Sequence, residues 1–287
     1  MKYGIREICD VVLKAKASVK IGNKTFAKGE PVIYFDSLKT STMEGAATTV
    51  YAQGGRGNTR LVAWEGERTV TFTMEDALIS ELGLAVLTGA GIIEAGKDGN
   101  TGITVHTTAK YSAKDTFSVE EEVDSTADIY AIELDEYDNV VATSDAEHKA
   151  EFTDGAFSYT KQGATTKAIM FDFYVKKTTG AKQIEITADK FAGNYYLEAS
   201  TLFRSADGVD HPAEFIIPNC KIQSNFTFTM ASSGDPSTFT FTMDAFPDYT
   251  KFDYSKKVLS VIQIIDENAP IVDKTAEADD TDEAVAG

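Results

Sequence analysis

The residue types that most often carry chemistry are few in this chain and stand far apart. Its three histidines, His106, His148 and His211, show neither the i, i+4 pairing nor the Cys/His spacing of a zinc site. No Gly-x-Ser-x-Gly elbow marks a nucleophilic serine. We therefore predict that each histidine lies on the surface or in a loop. We also predict no catalytic residue, no metal site and no cofactor site.

Glycine-rich and acidic turns offer two further kinds of site. Gly54–Asn58 could form an anion-binding nest, but it lacks the Lys-Ser/Thr pair of a P-loop and no helix directly follows it. Asp98–Asn100 and Asp135–Asn139 could bind calcium weakly, but neither has the EF-hand spacing. An interface loop is favoured for the first segment and simple turns for the other two.

Composition excludes several classes of protein. The 287 residues carry a formal net charge of −18, which argues against wrapping nucleic acid through phosphate contacts. No apolar run approaches a membrane helix, and Met1–Glu7 is no signal peptide, so we expect synthesis in the cytosol. Cys9 and Cys220 fit a reducing compartment. Two half-buried thiols are favoured over a single disulfide bond that joins the first and last thirds of the chain.

Alternation of apolar residues with threonine is the dominant local pattern. It occurs in Thr69–Met74, in Phe226–Met230 and in Phe239–Met243, and it is typical of strands with one buried face. The turn-forming cluster Ser232–Ser237 separates the last two segments and predicts a hairpin. The fold is therefore expected to be mainly β and antiparallel.

One short helix is predicted between Ser80 and Gly89. Ser80 would be the N-cap and Gly89 the left-handed residue after the last turn. A start at Asp76 is an alternative, but it would place Gly83 in the middle of the helix at a cost of about 1 kcal/mol.

A long polar connection, Thr40–Asn58, separates the predicted strand Pro31–Phe35 from the predicted strand Thr69–Met74. The backbone of so long a connection needs hydrogen-bond partners, and loops of this length are uncommon in compact domains. We interpret it as an assembly arm that becomes ordered only against a neighbouring subunit.

A change of composition near the turn Gly96–Gly102 indicates a second lobe, with predicted strands at Ile129–Leu134 and Ala168–Val175. Few large apolar residues and many carboxylates mark the C-terminal end. We divide the chain into a discontinuous β core (1–95 and 186–267), a β-sandwich-like insertion (96–185) and an acidic, disordered tail (268–287).

Several of these segments together resemble the tail tube (major tail) proteins of tailed bacteriophages. The resemblance lies in the long connection, the segment Trp64–Phe72, the run Glu75–Ser80 and the short Leu/Gly-rich helix. In the C-terminal part it lies in Phe191–Glu198, Phe215–Ile222 and the Phe/Thr hairpin Phe226–Met243. It covers roughly 1–95 and 186–265, and the insertion departs from it.

The resemblance implies an antiparallel β-sandwich or barrel of tail-tube type with one short helix, plus the β-rich insertion lobe. It implies a structural virion protein of the phage tail, not an enzyme and without cofactors. Its subunits would form stacked hexameric rings whose sheets join into an inner β-barrel. Expected partners are other copies of the chain and the tail sheath, tape-measure and baseplate proteins. Double-stranded DNA would pass through the lumen without specific binding.

On this hypothesis the segment Thr40–Arg60 contacts other subunits and rings. The interface residues predicted from the resemblance are Thr40, Thr42, Met43, Tyr51, Arg56, Arg60 and Trp64. Two other functions stay open from the sequence: a capsid decoration or other virion surface protein, and a carbohydrate-binding β-sandwich.

Overall fold

The computed structural model describes residues 2–21, 24–97, 99–114, 116–141, 148–230, 232–233 and 237–265. Throughout these ranges every pairing between named strands is antiparallel, and one helix is present. The expected mainly β, antiparallel fold is confirmed. The predicted tail at 268–287, Asp98, and part of the predicted Ser232–Ser237 turn lie outside the described residues.

The elements, in chain order, are β1 (Tyr3–Ile5), β2 (Asp10–Ala15), β3 (Val19–Ile21), β4 (Lys24–Phe26), β5 (Pro31–Phe35), β6 (Leu38–Gly54), β7 (Thr59–Asp76), α1 (Glu81–Thr88), β8 (Gly91–Glu94), β9 (Ile103–Ser112), β10 (Ile129–Leu134), β11 (Lys149–Thr153), β12 (Ala156–Ser158), β13 (Ala168–Lys177), β14 (Lys182–Glu185), β15 (Asn194–Ser205), β16 (Asp210–Ile222), β17 (Phe239–Ala245) and β18 (Val261–Ile264).

The chain divides into two compact units. The first contains the described residues of Met1–Val19, Phe26–Gly83 and Ala192–Gly287. The second contains those of Lys20–Thr25 and Leu84–Phe191.

A nine-stranded sheet forms the first unit, in the order β5-β2-β15-β16-β17-β7-β6, with β1 beside β15 and β18 beside β16. Its end strands β5 and β6 are separated in the chain only by Asp36 and Ser37, so the sheet must curl until its ends approach. Two contacts agree with this. The rings of Phe35 and Phe241 are 5.0 Å apart, and the Cys9 backbone N–H donates to Ser41 Oγ at 3.2 Å.

The core of the first unit lies inside this curled sheet. Alternate positions of its strands are buried, as the period of a strand requires. Fully buried side chains include Leu13, Phe72, Met74, Leu197 and Ile217.

Two of the three predicted Phe/Thr strands are confirmed. Thr69–Met74 lies within β7, and Phe239–Met243 lies within β17. The strand predicted at Phe226–Met230 is wrong, because none of the residues 223–230 belongs to a strand or bridge. High β propensity alone does not make a strand, which also needs a paired backbone.

The predicted helix is confirmed with both of its termini. Ser80 Oγ accepts a hydrogen bond from the Gly83 backbone N–H at 2.9 Å, which is the N-cap interaction. Gly89 follows the last turn with φ of 69°, a conformation that favours glycine. The alternative start at Asp76 is wrong, since the Asp76 carboxylate accepts hydrogen bonds from Ser37 Oγ and the Leu78 N–H ahead of the helix.

We expect Ser80→Ala to lower the free energy of unfolding by about 1 kcal/mol, because the Gly83 N–H loses its acceptor. Urea denaturation followed by circular dichroism measures the change. Ser80→Asp is the matched control, since a carboxylate also caps, and it should stay close to the wild type. Equal losses in both variants would contradict the capping role.

The second unit is built on a five-stranded sheet in the order β12-β11-β10-β13-β9, with a separate two-stranded sheet of β8 and β14. Its core consists mainly of phenylalanine and β-branched side chains, which include Ile169, Phe171, Phe173 and Val175 of β13. The predicted strand Ile129–Leu134 is β10, and Ala168–Val175 lies within β13.

Both cysteines are free and buried, so the disulfide alternative is wrong. Cys220 lies in β16, and its thiol is 3.4 Å from the Tyr195 carbonyl oxygen. Burial raises the pKa of Cys220 to about 12, so this thiol is a packing group.

Candidate subunit-contact site

The connection that the sequence presents as an assembly arm is a long antiparallel hairpin. Its two strands are β6 and β7, which pair from Leu38 opposite Asp76 to Gly54 opposite Thr59. The strand predicted at Thr69–Met74 therefore begins ten residues earlier, at Thr59. The expectation that the arm becomes ordered only against a neighbour stays a prediction. Within one subunit each strand of the arm already pairs one edge of its backbone with the other strand.

The hairpin has a packed base and a projecting ribbon, which we define as residues 46–69. At the base, buried and less buried residues alternate in β7, and Met43 pairs with the buried Phe72. Along the ribbon the alternation ends, and every β7 residue from Thr59 to Thr69 is exposed. Both faces of the ribbon therefore meet solvent in the isolated subunit.

Glycines of the predicted interface loop form the turn at the tip. Gly55, Gly57 and Asn58 have φ of 78°, 92° and 50°, in the left-handed region. The Asn58 N–H donates to the Gly55 carbonyl at 3.2 Å, and the Asn58 side-chain amide donates to Gln53 Oε1 at 3.3 Å. The glycines are thus explained by a tight connection between two strands, and no phosphate-binding role is needed.

One face of the ribbon is strongly apolar. Val50 lies opposite Trp64, and Ala52 lies opposite Val62, so these four side chains share a face. Val50, Val62 and Trp64 are 64%, 49% and 56% exposed. Trp64 therefore does not belong to the core of this subunit, and its contact with a neighbouring subunit stays a prediction.

Tyr51 and Arg60 mark the opposite face. The Arg60 guanidinium carbon lies 4.0 Å from the centre of the Tyr51 ring, a cation–π contact that holds both side chains in place. Between Gly45 and Trp64 the charged residues are Arg56 and Arg60 alone. The tip is thus basic on a chain with a net charge of −18, so its charge complements that of another copy of the same chain.

The structure separates the seven predicted interface residues into two groups. Tyr51, Arg56, Arg60 and Trp64 lie on the ribbon, whereas Thr40, Thr42 and Met43 pair with β7 at its base. Met43 also lines a cavity of about 310 Å³ with Phe72 and Phe215. The sequence-based choice missed Val50, Leu61 and Val62, which are also exposed. Their role in assembly, like that of the other seven, stays a prediction.

The histidines lie apart. His106 Nε2 is 2.8 Å from Asp172 Oδ1 on an exposed face, and His148 Nδ1 is 3.3 Å from the Tyr159 hydroxyl. The surface prediction is wrong for His211, because β16 places it on its buried face, 5.4 Å from the Tyr3 ring. Within the described ranges, no group of three or more His, Cys, Asp or Glu side chains is placed to hold a metal ion.

The Asp135–Asn139 segment is a turn, as predicted. Asp135 Oδ1 accepts the Tyr137 and Asn139 backbone N–H groups at 2.8 and 2.9 Å. The hydrogen bond from Asn139 is the main cause that lowers the pKa of Asp135. The carboxylate thus serves the turn itself.

A buried carboxylate organises the second unit. Glu133, on β10, is 1% exposed and accepts hydrogen bonds from the Gln162 and Gly163 backbone N–H groups at 2.7 and 2.8 Å, and from the Thr166 hydroxyl. The Tyr159 hydroxyl donates to Glu133 Oε1 at 3.0 Å, the same oxygen that accepts the Gln162 N–H. Burial by itself raises the pKa of Glu133, but these donors outweigh it and the pKa is lowered.

A Cβ at Gly163 would lie 2.5 Å from Thr166 Oγ1 and 2.9 Å from Glu133 Oε2, so this loop fits closely around the carboxylate. The network ties the 159–166 loop to β10. Its role is structural.

The fold and the hairpin define a mainly β protein with a projecting, partly apolar arm. The chain belongs to the YomU/Tube protein family, whose model matches residues 12–259. The resemblance to phage tail tube proteins is thereby confirmed at the level of the family. A search of curated proteins finds no match. Among the described residues, no helix has the length and apolar character needed to cross a membrane.

Proposed function

We propose that this chain is the subunit of a bacteriophage tail tube. In this proposal it is a structural protein of the virion, made in the host cytoplasm, without enzymatic activity. Its copies assemble into hexameric rings that stack into the conduit for DNA ejection. The family match supports the class, and the exposed ribbon is the observation that carries the assembly.

The ribbon supports assembly because covering one of its faces would stabilise it. A two-stranded hairpin is marginal in water, and it gains stability when a face is buried. Here Val50, Val62 and Trp64 lie in water on one face. An exposed apolar patch bounded by polar residues is typical of a protein–protein contact site. Covering this face on a neighbouring subunit removes apolar area from water and fixes the ribbon in place.

The sheet of the first unit supports a ring. The outermost strands of its path are β5 and β6, and each has one edge that pairs with no other strand of that path. Free strand edges promote uncontrolled pairing with other chains, and joining them around a closed ring removes that hazard. Repetition of the same contact along the axis then gives a tube.

Charge supports a conduit for DNA. At a net charge of −18 the chain repels phosphate groups, so a lumen lined by its carboxylates would let the genome pass without specific binding. In this proposal the insertion (96–185) faces the outside of the tube. The tail sheath, tape-measure and baseplate proteins are the other partners.

Electron microscopy of the purified protein tests the proposal. We expect rings and stacked tubes in negative stain at high protein concentration. We also expect a hexamer or larger species in light scattering. The dilute protein provides the unassembled reference. A protein that stays monomeric at high concentration and under conditions that promote assembly would overturn the proposal.

A further inference from the structure

The same five-residue sequence, Phe-Thr-Phe-Thr-Met, occurs twice in this chain, at Phe226–Met230 and at Phe239–Met243. The second copy lies within β17, where it pairs with β7 and places Phe241 and Met243 in the core. The first copy belongs to no strand or bridge. Since the two sequences are identical, intrinsic propensity cannot explain the difference. What the first copy lacks is a paired backbone.

The first copy leaves the sheet next to the end of β16. The Gln223 N–H still donates to the Thr242 carbonyl of β17 at 2.8 Å. Beyond that point the segment keeps side-chain contacts with β17, since the rings of Phe228 and Phe239 are 5.3 Å apart. Met230 is 92% exposed and Phe228 is 38% exposed. A strand-forming sequence thus lies at the surface of the subunit, beside the sheet.

Composition makes this segment suited to pairing with another chain. Residues 224–230 contain no charged residue and no proline, and they combine phenylalanine and threonine. Short segments with high β propensity, no charge and no proline are those that pair between chains most readily. A neutral segment also avoids the repulsion that two copies of a chain with charge −18 otherwise meet.

Strand β6 offers the matching edge. It is the last strand of the sheet path, so its side away from β7 is an edge of that path. Gly45–Gly54 of β6 contains no charged residue and no proline, two of the devices that protect an edge. We propose that Phe226–Met230 of one copy pairs as a strand with Gly45–Gly54 of β6 in a second copy. This inference rests on the proposed self-assembly and names the segments that meet.

Three substitutions at the exposed Thr227 test the pairing. Thr227→Pro removes a backbone N–H donor, and Thr227→Asp adds a charge to the neutral segment. Thr227→Val is the matched control, since it keeps the donor and favours a strand. We expect tubes from the wild type and the Val variant at the same concentration. We expect the Pro and Asp variants to need at least tenfold more protein.

Folding of each variant is checked by its melting temperature as the dilute subunit. We expect values within a few degrees of the wild type, because Thr227 lies outside the sheet. Hydrogen exchange on wild-type protein gives a second measurement that needs no substitution. Amides of residues 226–230 and of the Gly45–Gly54 stretch should both become protected on assembly.

The outcomes separate this inference from the proposed function. If the wild type forms no rings or tubes, both are overturned. If the wild type assembles and the Pro variant assembles equally well, the pairing alone is overturned. Assembly without new protection at 226–230 overturns it in the same way.

Discussion

Trp64→Ala should abolish tube formation at concentrations where the wild type assembles, while the isolated subunit keeps its stability. Trp64 is 56% exposed, so its removal takes little from the fold of one copy. A buried tryptophan at an interface contributes about 3 kcal/mol, or about 100-fold in affinity, and each ring repeats the contact. Sedimentation and electron microscopy across a concentration series measure the shift.

The matched control is Tyr137→Ala. Tyr137 is also a strongly exposed aromatic residue, 76% exposed, but it lies in the Asp135–Asn139 turn of the second unit. This variant should assemble as the wild type does. If both variants lose assembly, removal of any exposed aromatic side chain has this effect, and the ribbon has no special role.

Glu133→Ala should lower the free energy of unfolding of the second unit by about 3 kcal/mol. The substitution leaves the buried Thr166 hydroxyl without its acceptor, together with three donors whose hydrogen bonds are partly buried, from Tyr159, Gln162 and Gly163. Unsatisfied buried donors are among the few mechanisms that produce losses of this size. Urea denaturation monitored by tyrosine fluorescence and circular dichroism measures the change. Glu122→Ala, at an exposed glutamate of the same unit, should leave the stability within about 0.5 kcal/mol.

The loss should depend on pH in a defined direction. Because folding lowers the pKa of Glu133, its ionised form stabilises the folded state above the ordinary value of 4.5. That stabilisation is lost as the pH falls through the lowered, folded-state pKa. The difference between wild type and Glu133→Ala should therefore be largest at neutral pH and shrink in acid. A constant difference from neutral pH down to strongly acidic pH would contradict an ionised Glu133.

Local patterns predicted much of the fold because they report contacts within a few residues. The N-cap Ser80 and the left-handed Gly89 mark the two ends of the helix in the structure, as the sequence predicted. Alternation of phenylalanine with threonine located β17, where Phe241 and Met243 are buried.

The sequence failed where the outcome depends on a distant partner. The ribbon carries too little alternation for recognition as strands, because neither of its faces is buried in the subunit. Phe226–Met230 has the alternation of apolar residues with threonine, but its backbone pairs with no strand. No local sequence pattern marks Glu133 as a buried hydrogen-bond acceptor, because its donors lie some 30 residues further along the chain, in a loop. Val50, Leu61 and Val62 could have been chosen because they are large apolar residues in a segment with only two charged residues between Gly45 and Trp64.

The length of the ribbon has a mechanical consequence. The part of β6 that belongs to the ribbon runs from Ala46 to Gly54. At the usual rise per residue of a strand, this part is roughly 30 Å long. Paired extended backbones are already almost fully drawn out, so a pull along them meets covalent geometry. Across its thin direction the same ribbon can bend and twist. In the proposed tube such ribbons would act as inextensible ties, and the tail could flex sideways while its length stayed constant.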